Sequence, residues 1–370
     1  MTRDGKDVRV VGAGPAGLMA AEVLAQGGAR VTIIDHHQSP ARKFLLAGRG
    51  GLNLTHAEPL EVLLNRYGTA REHLEPAIRD FPPAAVRDWC AGLGIETFVG
   101  SSGRVFPIGL KASPLLRALL RRLGGLGVTL QSRTAWEGFE NVPTILAMGG
   151  ASWPELGSDA TWVPVFKKAD IAVTPLVASN GRQRVAWSEH FTNRFSGQPI
   201  KNVALTCNGK TIRGEVMIAR DGIEGGAIYA LSSAVRKGGQ RVNIDLKPDN
   251  TEYDVAKRLA RPRGKDSRST FLRKVFNLPP VAIALMREAS ADNPKHVSLT
   301  LQGAADIRRA ISTAGGVAFS EVDENMRLRK QHDTWVAGEM LDWDAPTGGY
   351  LLQACFATAR WAAKDCLRRL

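Results

Sequence analysis

The chain has 370 residues, 44% of them hydrophobic and 23% charged, with a formal net charge of +13. That length holds two or three domains and buries a sizeable core, and the composition excludes a fibrous or disordered chain. Four cysteines, Cys90, Cys207, Cys355 and Cys366, lie far apart with no CxxC. Their spacing argues against a zinc site, a redox dithiol or a disulfide framework and fits a reducing cytoplasm.

The charged start MTRDGKD and the apolar run VRVVGAGPAGLMAAEVLA superficially resemble a signal peptide. Three glycines, a proline and Glu22 interrupt that run, and no uninterrupted apolar stretch reaches the roughly 20 residues that span a bilayer. The expectation is a soluble cytoplasmic protein with no membrane partner. VRVV (8–11) reads as a buried strand, 14–26 as an alanine-rich helix closed by Gly27-Gly28, and ARVTIID (29–35) as a second strand. Such a unit opens a doubly wound, Rossmann-like α/β sheet. Residues 57–99 read as helical, 114–132 as helix then strand, and TILAMGG (144–150) as strand then turn.

Beyond about residue 155 the pattern changes. VALTCNGKTIRGEVMIA (203–219) alternates around Asn208-Gly209 as a hairpin would, RVNIDLKP (241–248) and VSLTLQG (297–303) read as strands, and 252–290 is helical and basic. Gly239 is assigned to a turn of this middle part. DTWVAGEMLD (333–342) reads as a strand and loop before a long terminal helix that returns to the first sheet. The expected organisation is a split cofactor domain (1–160 and 318–370), a β-rich substrate domain (161–250 and 295–317) and a small basic helical insert (251–294).

The strongest motif is Gly12-Ala13-Gly14-Pro15-Ala16-Gly17, between a strand and a helix, with Asp35 at the end of the next strand. Gly12 makes the tight turn, Gly14 lets backbone approach a pyrophosphate, and Gly17 permits close helix–strand packing. The helix N-terminus then offers free amides to phosphate, and Asp35 accepts hydrogen bonds from ribose hydroxyls. A late return to this domain through AGEMLD (337–342) and TGGYLLQ (347–353) points to FAD rather than a nicotinamide dinucleotide.

Six segments in order, GAGPAGLMAA, RKFLLAGRGGLNLTH, LAMGGASWPELGSD, GEVMIARDGIEGGAIYALS, TAGGVAFSEVD and AGEMLDWDAPTGGYLLQ, resemble the YhiN/BaiN-like flavoproteins, also called the aminoacetone oxidase family. The resemblance implies one FAD-binding domain of the glutathione reductase type. By that resemblance Arg42, Lys43 and the loop Gly48, Arg49, Gly50, Gly51, Asn53 and Thr55 run beside the pyrophosphate and flavin, with Arg49 supplying a charge-assisted contact and Asn53 facing the ring. Glu339 is implied to bond the ribityl chain, with Asp342 in the same network or capping the loop. Gly348, Gly349 and Tyr350 are expected at the start of the last helix, amides toward the flavin N1–C2=O edge. The implied cofactor set also takes in His36, Ala135, Ala147, Gly149, Gly338 and Leu351. Gly349→Val is expected to weaken FAD binding while the fold persists.

The sequence departs from the family pattern in four places. Gly51-Leu52 stands where many members have a cysteine, Leu351 replaces a common asparagine, Ala160-Thr161 follows GSD, and only twelve residues (132–143) stand where a β-meander is usual. The last departure leaves the adenine end less enclosed. No catalytic acid or base stands out; His56, His190 and Tyr229 are weak candidates, and no metal constellation is present. The expected activity is NAD(P)H-driven reduction of an unsaturated or carbonyl small molecule, with NADPH or NADH as a transient donor. Flavin-dependent amine oxidation is the alternative, and a flavin-bearing nucleic-acid-binding or regulatory protein the rival class. The substrate is expected to be small and acidic, since positive charge attracts anions. The basic run KRLARPRGKDSRSTFLRK (257–274) is expected to bind nucleic acid weakly and non-specifically at most.

Overall fold

A computed structural model describes residues 5–236, 238 and 240–370; Gly239 lies outside the described residues. Two compact units emerge, residues 1–177 with 312–370, and residues 178–311.

The first unit is built on a five-stranded parallel sheet. Its strands, in spatial order, are Thr334–Val336, Thr144–Leu146, Asp7–Val11 (β1), Arg30–Asp35 (β2) and Thr129–Ser132. The helix between β1 and β2, Pro15–Gln26 (α1), makes the right-handed crossover that parallel neighbours require. Its small residues Ala20 and Ala21 are fully buried, and the C-terminal helix Tyr350–Arg369 presents Ala354, Ala357 and Ala359, equally buried, to the same core. Short side chains on both helices let their backbones come close, and Trp335 Nε1 donates to Asp365 Oδ2 at 3.0 Å to tie that helix to the last strand.

Residues 57–99 are not helical throughout. Helices Leu60–Asn65, Arg71–Asp80 and Pro83–Gly92 are followed by a strand, Thr97–Val99, which pairs antiparallel with Arg104–Pro107. Gly94, at φ +75°, ends the helical run, and the β-branched and aromatic residues after it suit a pleated surface. Between Ser132 and Thr144 there is no strand; Trp136 and Phe139 pack there against Phe166, with ring centroids 6.1 and 5.4 Å away. Aromatic packing thus fills the place of a meander.

The second unit is a six-stranded antiparallel sheet, in the order Val297–Thr300, Arg241–Asp245, Pro199–Cys207, Lys210–Ala219, Gly222–Glu224, Gln183–Arg184. Its central hairpin turns at Asn208 and Gly209, both at positive φ (+48° and +75°), as a tight primed turn demands. Helices Glu252–Leu259, Arg268–Phe276 and Pro280–Glu288 bury Val255, Leu272, Phe276 and Leu285 in a core of this unit's own.

Candidate cofactor site

The glycine fingerprint folds as its spacing requires. A Cβ on Gly12 would lie 2.5 Å from the Ala147 carbonyl oxygen, and one on Gly17 would lie 1.8 Å from the Gly12 carbonyl oxygen, so only glycine fits either place. Gly14 differs, because a Cβ there meets nothing within 4 Å. Gly14 is the N-cap of α1 and Pro15 its first helical residue, and no side chain caps the exposed amides. An uncapped helix start facing open space is a ready anion cradle.

Asp35 stands at the edge of this cradle. Its Oδ2 accepts from the Ala13 amide at 2.7 Å and its Oδ1 from the His37 amide at 2.8 Å, which fixes the carboxylate beside the fingerprint turn. The Thr134 amide bonds the Asp35 carbonyl at 2.9 Å, so the stretch leading to Ala135 runs along the same edge. The Ala41 amide bonds the Ala13 carbonyl, which brings the helix Arg42–Ala47 over the turn. Arg42 donates to the His37 ring at 2.9 Å, and burial, then the neighbouring His36 and Arg42, lower the His37 pKa. His36 itself lies 3.5 Å from the Asp159 carboxylate.

Lys43 and Glu339, 296 positions apart, meet in the interior at 2.7 Å. Lys43 Nζ also donates to Ser152 Oγ at 2.6 Å, and Glu339 Oε1 accepts from the Thr313 amide at 2.9 Å. Both carboxylate oxygens thus have protein partners. Gly149 lies against this group, with Ser158 Oγ 3.2 Å and Glu339 Oε2 3.9 Å from where its Cβ would stand. Gly338 packs on Ala16. Asp342 stands apart from the Lys43–Glu339 group, since its Oδ2 accepts from Thr174 Oγ1 at 2.6 Å.

The loop after Ala47 is only partly a loop. Gly48–Gly50 forms one tight 3₁₀ turn, and Leu52 and Leu54 then bury completely while their amides bond Leu110 and Val105 carbonyls. That alternation turns Asn53 the other way. Its Nδ2 donates to the Thr55 and Val105 carbonyls at 2.8 and 3.1 Å, but its buried Oδ1 has no partner. Arg49 and Gly50 are exposed. Thr55 Oγ1 donates to Gln353 Oε1 at 2.6 Å, which holds the loop to the start of the terminal helix.

Gly349 caps that helix at φ +97°, with Tyr350 its first residue, Gly348 just before it and Leu351 half-buried after it. A side chain on Gly349 would stand 2.6 Å from Thr55 Cα. Gly349→Val would therefore break this packing directly, and the expectation of a persisting fold gives way to local unfolding. Tyr350 OH donates to Glu58 Oε1 at 2.6 Å, Arg66 Nη2 donates to Glu58 Oε2 at 2.8 Å, and the His56 ring stacks on Tyr350 at 5.6 Å. His190 and Tyr229 belong to the second unit.

Sequence reasoning missed Ser152, Thr313, Gln353 and the Glu58–Arg66 pair. Ser152, Thr313 and Gln353 lay inside quoted motifs, but their partners are distant in the chain and carried no local signal.

Burial raises the Glu58 pKa, but hydrogen bonds from Arg66 and Tyr350 outweigh it and leave the carboxyl below its usual 4.5. Burial, then Glu58, pushes the Tyr350 phenol well above its ordinary value. Folding therefore favours ionised Glu58. The stabilisation is complete above the ordinary glutamate pKa and is lost as pH falls through the lower folded value. Tyr350→Phe is expected to cost about 1–2 kcal/mol at pH 7 and markedly less once pH has fallen through the lowered folded pKa of Glu58, where the carboxyl is protonated in both states. Urea denaturation of both proteins at pH 7 and below that folded pKa checks this; equal losses at both would remove Glu58 from the account.

The residues present fit an FAD. The uncapped start of α1, the space in front of Gly14, and the unpartnered buried oxygens Asn53 Oδ1 and Ser158 Oγ are features a bound dinucleotide would satisfy. Among the described residues no cluster of His, Cys, Asp and Glu suits a metal ion, and no helix is long and apolar enough to cross a membrane.

Residues 6–365 match the family described as HI0933-like protein Rossmann domain. The chain belongs to the HI0933-like Rossmann family. Its parallel sheet is the Rossmann-like sheet of that family, accompanied by the antiparallel second sheet described above. Two similar proteins are the ribosomal RNA dihydrouridine synthases of Escherichia coli (strain K12) and Haemophilus influenzae (strain ATCC 51907 / DSM 11121 / KW20 / Rd). Each is 23% identical over 400 residues, covering 98% and 97% of this chain respectively and 98% of the relative. Among solved structures, 3-ketosteroid delta1-dehydrogenase from Sterolibacterium denitrificans shares the fold at 10% identity, with a TM-score of 0.53 over 99% of this chain and 100% of that one.

Proposed function

We propose that this flavoenzyme reduces a carbon–carbon double bond conjugated to a carbonyl, and that its substrate is a uracil base in ribosomal RNA. The reading is carried by the end-to-end alignment with two proteins named as ribosomal RNA dihydrouridine synthases, in which neither chain leaves an unmatched domain. Uracil belongs to the unsaturated, carbonyl-bearing class that the sequence suggested, now within a macromolecule rather than as a free small molecule. A net charge of +13 suits a polyanionic substrate, so the expectation of no specific nucleic acid is replaced in this reading.

In this reading the diphosphate of FAD lies at the start of α1, in the space that Gly14 leaves open, and Asp35 takes the ribose. Asn53 Oδ1, buried without a partner, would accept from the flavin, and the amides after Gly349 would stabilise the negative charge that develops on its reduction. FAD, when bound and reduced, would supply a hydride (two electrons and one proton) to the double bond, the second proton would come from solvent, and NADPH or NADH would return the flavin to its reduced form. The Lys43–Glu339 pair, with Ser152 and Thr313, holds the loops around the cofactor in register.

The test is chemical. Ribosomal RNA from cells lacking the gene should lose one dihydrouridine that the parent strain carries, and a plasmid copy should restore it, read by mass spectrometry of digested RNA. Identical dihydrouridine content in the two strains would overturn the RNA reading while leaving the FAD assignment standing.

A further inference from the structure

We infer that the turn joining helices Glu252–Leu259 and Arg268–Phe276 in the second unit is the surface that grips the RNA, with Tyr253 as a stacking platform for an unpaired base. This rests on the proposed reading of ribosomal RNA as substrate. Residues 257–274 carry eight basic side chains and one acidic. Most charge clusters on a protein surface are neutralised by their neighbours, so the distribution of partners matters more than the count.

Here the acidic side chains are already engaged. Asp254 is held in the Thr251 capping box, Asp266 accepts from Lys274 at 2.9 Å, Asp292 pairs with Arg268, and Glu252 lies 3.1 Å from His296. Lys257, Arg261, Arg263, Lys265 and Arg273 are all exposed, and among the described residues none has a carboxylate within ion-pair distance. Five unneutralised cations on one short helix–turn–helix stretch form a strongly positive field aimed at solvent.

Tyr253 is an independent observation. It is 74% exposed, the most exposed large hydrophobic side chain among the described residues, one helical turn before Lys257 on the same helix. An exposed aromatic beside free cations serves no packing purpose, but it matches the pairing of stacking ring and phosphate contact that single-stranded nucleic acid requires. The two helices are anchored beneath by Val255, Leu272 and Phe276, all buried, and by side-chain caps at Thr251 and Ser267, so the surface is presented on fixed elements. An acidic protein partner would use the cations and leave Tyr253 without a role.

The experiment measures fluorescence anisotropy of a labelled ribosomal RNA fragment on FAD-loaded protein across a salt series. The variants are Arg261→Gln/Arg263→Gln/Lys265→Gln and, separately, Tyr253→Ala. Loss of three phosphate contacts should lower the slope of log affinity against log salt by about 2, from roughly 0.7 per contact on single strands. Tyr253→Ala should weaken binding about tenfold with the slope unchanged. Both variants should keep wild-type FAD content and the same rate of flavin reduction by dithionite. Wild-type affinity and slope in the triple variant would overturn this inference alone. Wild-type protein that fails to bind the RNA at low salt would overturn the RNA reading with it. Equal affinity of wild-type protein for polyglutamate and RNA would assign the surface to acidic protein instead.

Discussion

Gly17→Ala and Gly14→Ala, one methyl group each and three residues apart, are expected to fail in opposite ways. The added carbon at Gly17 would stand 1.8 Å from a backbone oxygen of the fingerprint turn, an overlap that no side-chain rotation relieves. α1 would have to lift from the sheet, at a cost of about 4 kcal/mol or more, a large share of the ~5–15 kcal/mol that typical domains possess. At Gly14 the same carbon meets nothing within 4 Å, so stability should change by less than about 1 kcal/mol, the scale of an altered N-cap. What it should lose is cofactor: a methyl in the path of the pyrophosphate should raise the FAD dissociation constant at least ~10-fold, or about 1.4 kcal/mol. Denaturation midpoints and flavin bound per chain, measured on both variants, separate the two effects. A Gly14→Ala protein that holds FAD as tightly as wild type would remove the pyrophosphate from the start of α1.

Breaking the Lys43–Glu339 pair should be the second large effect. Lys43→Met leaves the Glu339 carboxylate, 8% exposed, with the Thr313 amide but no cation. One-sided removal from a fully buried pair costs ~3–5 kcal/mol, and the 21% exposure of the Lys43 side chain trims this to about 2–3 kcal/mol. Glu339→Met should cost a similar amount, because Lys43 keeps only the Ser152 hydroxyl. The double variant Lys43→Met/Glu339→Met should recover most of the loss, since neither charge is then buried alone. Urea denaturation of the four proteins gives the coupling. Strict additivity of the two single losses would show that the pair does not act as a unit.

How far the sequence could be read follows from distance along the chain. The fingerprint, α1 and β2 with Asp35 form one continuous stretch of strand, helix and strand, and their signals are periodicity and glycine spacing, which local reading captures. The hairpin at Asn208-Gly209 was legible for the same reason. Lys43–Glu339, Thr55–Gln353 and Tyr350–Glu58 join residues 296, 298 and 292 positions apart. Nothing in a single sequence couples such positions. Thr97–Val99 was hidden behind helical residues, and only Gly94 marked the change. The alternation Leu52-Asn53-Leu54 was masked by the glycines before it, although it decides which way Asn53 points. The segment 132–143 looked like a deletion, and its aromatic residues take their meaning from Phe166, which folds back on them.

If FAD held at the start of α1 passes its electrons to uracil in ribosomal RNA, one anaerobic mixing experiment shows it. The bound flavin is reduced with light, without any nicotinamide cofactor, and mixed with ribosomal RNA from cells lacking the gene. The oxidised flavin spectrum should return, and the RNA should gain dihydrouridine in equal amount. Flavin that stays reduced at every RNA concentration, with the RNA unchanged, would contradict it.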